Sequence, residues 1–216
     1  MLRLDTDGSH EEDSALVDFR SRSGLTSCFS TPNRGTHGVT AMDHDTIIED
    51  WQQHAEKHDD RNYNFLRSLK HRDHGFDPNA VAVDLHQQAF QSVDCTRCAN
   101  CCKTMTVLLS EFDIDRIAKE LDISARDFTE RYLQPDEEEA PLLKMRQQPC
   151  PFLGSDNRCT IYDVRPACCR EYPHTDKEGF TTRTMLHANN AKECPAVFWI
   201  VEQLRLRSTG KGHGKS

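Results

Sequence analysis

The stretch "VDCTRCANCCKTM", residues 93–105, places four cysteines within eight positions: Cys95, Cys98, Cys101 and Cys102. Cysteines two residues apart let the main chain fold around an ion or sulfide with both thiolates pointing inward, so zinc knuckles and iron-sulfur loops share that spacing. Here the step repeats, from Cys95 to Cys98 to Cys101. Three thiolates so spaced match the opening of the ferredoxin run C-x2-C-x2-C-x3-C-P, but Met105 stands at its fourth position. A fourth ligand must come from elsewhere. Cys150 in "CPF" and Cys194 in "CPA" are each followed by proline, as in that run. The adjacent Cys101 and Cys102 point apart in most backbone conformations. They are expected to divide between two centres, or to leave one thiol without a ligand role.

Nine of the ten cysteines lie between Cys95 and Cys194. Such density reads as a disulfide framework in a small secreted chain, but as metal binding in a reducing compartment. The start, "MLRLDTDGSHEEDSALVDF", carries acids where a secretory peptide has its apolar core. The longest apolar clusters, "TVLL" and "AVFWIV", are far shorter than the ~20 residues of a membrane span. The expectation is therefore a soluble, cytoplasmic, metal-binding protein with no membrane association. A net charge of -8 argues against a nucleic-acid partner, which calls for a basic surface. A protein partner stays open.

The remaining pattern predicts a mainly α fold with short irregular or β segments, built as a small metal-stapled cysteine-cluster domain. Residues 1–41 lack sustained periodicity and are read as a disordered extension holding the bystander Cys28, with Met42 a second candidate initiator. A helical N-terminal segment follows over 42–78, with Ile47, Ile48, Trp51 and Ala55 on one face and Asp45 or Thr46 as its cap. The cysteine-cluster domain spans 79–206 and a flexible basic tail 207–216. Asp77 and Pro78 start a helix leading to the cluster. "SEFDIDRIAKELDIS" reads as a capped amphipathic helix, "SARDFTERYL" as a shorter one, and Pro195 as the start of the last. "PDEEEAP" (135–141) is an acidic loop, residues 150–173 are mostly turns, and "CTIY" is a candidate strand.

"CTRCANCC", "CPFL", "CTIYDVRPACCREYP" and the late "CP" together resemble the CxxCxxCC cysteine-cluster proteins, the YkgJ-like family, described as zinc- or iron-chelating. The resemblance covers residues 80–205 approximately. It implies metal chelation through Cys95, Cys98, Cys101, Cys102, Cys150, Cys159, Cys169 and Cys194, with Cys168 as an extra thiol. A related cysteine-cluster domain occurs in flagellin lysine methylases, which suggests a protein-methylating enzyme as one alternative.

Other candidates read as ordinary surface. His54 and His58 sit one helical turn apart on an expected solvated face, while His174 and His187 lie near Cys169 and Cys194 and are the histidines worth testing as ligands. Arg165 and Arg170 could offset thiolate charge or pair with Asp163 and Glu171. The tail "GKGHGKS" fails the spacing of a phosphate loop, the radical-SAM spacing is absent, and no catalytic triad or glycine-rich nucleotide loop is legible. Two cofactors fit the thiol pattern, an iron-sulfur cluster, which the triple spacing favours, or zinc. The corresponding functions are a metal protein with redox chemistry and a structural zinc module for protein interaction.

Overall fold

The computed structural model describes residues 43–137 and 141–210. The expected extension over 1–41, Cys28, the last part of the basic tail and the middle of the acidic loop lie outside them.

The described chain is mainly helical, as its periodicity predicts. Helices α1 (His44–His54), α2 (Asp59–Ser68) and α3 (Pro78–Ser92) come first. Asp43, two residues before Asp45 and three before Thr46, the expected caps, accepts the Thr46 amide and starts α1, and Asp77 caps α3 with Pro78 in its first turn. Two short helices then carry the clustered cysteines, α4 (Cys95–Cys98) and α5 (Asn100–Thr104). Strand β1 (Leu108–Leu109) leads into α6 (Glu111–Glu120) and α7 (Ala125–Tyr132), followed by β2 (Leu133–Pro135) and β3 (Leu143–Met145). Helices α8 (Ala167–Glu171), α9 (Thr184–Glu193) and α10 (Pro195–Ser208) complete the order. Among the described residues no helix is long and apolar enough to cross a membrane.

Two cores result. The first joins α1, α2 and α3 to α9 and α10, so helices from both sides of the expected boundary at 78/79 share one interior. Helix α10 is its axis: Ala196, Val197, Phe198, Ile200, Val201 and Leu204 are all buried, a helix apolar nearly all round. The second core gathers Ile114, Ile117, Phe128, Leu133, Met145, Phe152 and Ile161 around a three-stranded antiparallel sheet of order β1-β3-β2.

Ser110 and Asp113 form a full capping box on α6, closer than the loose imitation read from sequence. The expected strand over "CTIY" is not formed. Cys159 instead makes an isolated bridge with Leu153, and Tyr162–Val164 turn into a single 3-10 turn. Turn signals at Gly154, Asp156 and Asn157 outweigh the β-branched pair beside them.

Candidate metal centre

The cysteine loop is shaped by two local devices. Asp94 accepts the Thr96 amide at 2.8 Å and starts α4 at Cys95. Ala99 adopts a left-handed conformation (φ 50°, ψ 18°) that ends α4 and begins α5. The chain thus turns between Cys98 and Cys101 instead of running on as one helix. A continuous helix would string residues 95, 98, 101 and 102 along one side over about 10 Å instead of folding them back on each other.

Long-range bonds bring the distant cysteines to this loop from opposite sides. On one side, the Asn100 side-chain amide donates to the Glu193 carbonyl oxygen at 2.8 Å and the Thr104 hydroxyl to the Glu193 carboxylate at 2.7 Å. These bonds hold the end of α9, and with it Cys194, against α5. On the other side, the Cys150 amide donates to the Cys102 carbonyl at 3.1 Å and the Gln148 side chain to the Thr104 carbonyl at 3.0 Å. A third clamp fixes α8: buried Asp113 accepts from the Ala167 amide at 3.1 Å and from Arg116, and Arg116 also donates to the Arg165 carbonyl at 3.0 Å.

Cys194 belongs to the helical core, and Cys95, Cys98 and Cys101 lie within its electrostatic reach. Cys150, Cys159, Cys168 and Cys169 pack against the sheet-side core. Cys102 stands between the two sets, acting on Cys95 and Cys101 and on Cys150, Cys159 and Cys169. All nine described cysteines are free thiols. Six of them, Cys95, Cys98, Cys101, Cys102, Cys159 and Cys194, line one cavity of about 640 Å³.

Main-chain amides near three of the sulfurs favour their charged form: Phe152 beside Cys150, Ile161 beside Cys159, and Ala196 and Val197 at the start of α10 beside Cys194. Burial works against ionisation in the metal-free protein. It raises Cys95, Cys150 and Cys159, and pushes Cys194 up to about 12 despite its amides. Cys102 is the opposite case, lowered to about 7 by the Cys101 hydrogen bond with help from Lys103 and Arg165.

Among the described residues, no three or more His, Cys, Asp or Glu side chains already stand as they would around an ion. The donor set nonetheless suits a thiophilic metal: the eight cysteines are soft sulfur donors, and none is in a disulfide.

Other sequence candidates are placed as follows. The Cys168 sulfur donates to the Leu108 carbonyl at 3.1 Å and lies 4.0 Å from Cys169. Arg165 stacks its guanidinium 3.7 Å from the Tyr162 ring centre and lowers both Cys102 and Cys159, so its charge favours both thiolates. Arg170 donates to the Arg165 carbonyl. His187 is fully buried and stacked 4.0 Å from Phe180, and neither it nor His174 lines the cysteine cavity. His58 is packed rather than solvated, its ring between those of His54 and Phe198 and 3.8 Å from the Glu202 carboxylate. Sequence reasoning missed Asp113, Arg116, Glu193 and Tyr172 as parts of the site. Only the Ser110–Asp113 cap had a sequence signal.

Residues 94–194 match the family model CxxCxxCC, described as "Putative zinc- or iron-chelating domain". No curated protein and no solved structure matches the chain.

Proposed function

Since residues 94–194 match the model of the CxxCxxCC zinc- or iron-chelating family, we propose that the protein holds metal at two four-thiolate centres. Cys95, Cys98, Cys101 and Cys194 bind the first, and Cys102, Cys150, Cys159 and Cys169 the second. The observation that carries the reading is the convergence of Cys95, Cys98, Cys101, Cys102, Cys159 and Cys194 on one cavity, with the Glu193 and Cys150 main chains bonded to the cysteine loop from opposite sides.

The first centre suits an iron-sulfur cluster. A zinc knuckle needs two thiolates of the cysteine loop, whereas all three x2-spaced cysteines belong to this group. When bound, such a cluster supplies one-electron chemistry. The chain's part is to supply the four sulfurs, to offset the Cys194 charge through α10, and to leave Cys95 exposed on the open side. A reducing compartment, the cytoplasm, keeps these thiols available.

The test is iron, zinc and acid-labile sulfide per chain after purification without oxygen. Iron with sulfide and visible absorption supports the cluster. Stoichiometric zinc without sulfide moves both centres to a structural zinc module.

A further inference from the structure

Tyr172 follows α8 and lines the cysteine cavity. Its hydroxyl oxygen is sealed from solvent and meets no partner at full hydrogen-bond geometry. A buried phenol ordinarily finds an acceptor, and leaving it without one is destabilising. Cys194 and Cys101 line the same cavity and are the thiols whose charge acts on this hydroxyl. Cys194 is at the same time the N-cap of α10, and its side chain makes no cap hydrogen bond there.

We propose that Tyr172 is a positioning residue whose hydroxyl donates a hydrogen bond to the Cys194 thiolate once that sulfur is a metal ligand. The inference rests on the two-centre reading above. In the free thiol, Cys194 offers only a weak acceptor, and the phenol stays under-satisfied. As a thiolate it becomes a strong acceptor for the Tyr172 hydroxyl. Metal loading thus completes a bond that the metal-free fold leaves open. Partners of this kind typically contribute 10–100-fold to metal affinity.

The experiment is anaerobic titration with Co(II) alone, following thiolate-to-cobalt absorption and competition by a chelator, with melting of the metal-free protein measured alongside. Tyr172→Phe is expected to weaken one of the two centres about 10–100-fold, while the metal-free melting temperature stays level or rises because an unpaired hydroxyl has gone. In a Cys194→Ser background the same substitution should have no further effect, the non-additivity of two groups that act together. Tyr162→Phe, a change on an exposed cavity residue, should leave both centres as they are. Unchanged cobalt affinity in Tyr172→Phe overturns the inference. So does a loss of metal-free stability that matches the loss of affinity, which would make Tyr172 a packing residue. If the unsubstituted protein shows no thiolate-to-cobalt absorption, the two-centre reading fails and the inference falls with it.

Discussion

The Cys150 amide donates to the Cys102 carbonyl oxygen across 3.1 Å, and this bond ties the turn-rich segment after residue 149 to the second half of the cysteine loop. The first half of that loop is tied instead to the end of α9 through Asn100 and Glu193. The two-centre proposal therefore places its border at the peptide between Cys101 and Cys102, with Cys194 resting on the helical core and Cys150, Cys159 and Cys169 on the sheet-side core.

That border predicts separable losses. Cys98→Ser should remove the first centre and leave the second, and Cys102→Ser should do the reverse. Metal per chain after anaerobic purification should fall by about half in each. Cys168→Ser should keep full metal, because its sulfur is engaged by the Leu108 carbonyl. Loss of both centres in either single variant would show one shared site.

Thiol reactivity in the metal-free protein should follow local charge. Cys102, lowered to about 7 by the Cys101 hydrogen bond, Lys103 and Arg165, should be alkylated by iodoacetamide ahead of Cys150, Cys159 and Cys194, all of which burial raises. Its rate should climb through pH 7, and Arg165→Gln should move that climb to higher pH. Mass spectrometry of partly alkylated protein gives the order. Cys194 reacting first would contradict it.

Asp113 links the α6 cap to α8 through the Ala167 amide and Arg116. Asp113→Ala removes a cap and leaves a buried amide and a guanidinium short of an acceptor, a loss of about 2–4 kcal/mol by denaturant unfolding. Metal occupancy of the second centre should fall more than that of the first, since α8 carries Cys169. A change below about 0.5 kcal/mol would place the clamp elsewhere.

His187 sets an acid limit. Burial lowers it from 6.5 to about 4, with Arg183 adding to the effect, so between those values the unfolded chain binds a proton that the folded one refuses. Its contribution to stability is complete above about pH 6.5 and is lost as pH falls toward 4, on the order of 3 kcal/mol in all. His187→Leu should flatten the slope of metal-free stability over that window. An unchanged slope would assign the acid sensitivity to other groups.

The helices were legible because they are amphipathic and capped: Asp77 before Pro78, Ser110 with Asp113, and Pro195 before a long apolar run all appear where their chemistry predicts. The short helices α4, α5 and α8 were not, since four or five residues give no period to read and their form depends on long-range bonds. Strands β2 and β3 were hidden for the same reason, at three residues each. The cysteines announced themselves by spacing. Their convergence on one cavity did not, because it depends on Glu193 and Gln148 reaching the loop from opposite sides. Tyr172 is one tyrosine among four in the sequence, and only its sealed hydroxyl beside Cys194 marks it out.

The measurement that tests the central claim most directly is X-ray absorption at the metal edge of the protein isolated without oxygen. Two four-thiolate centres predict a first shell of sulfur alone, four scatterers per metal, for whichever of iron or zinc is present. A first shell containing nitrogen or oxygen at stoichiometric metal, or no bound metal at all, would contradict the account.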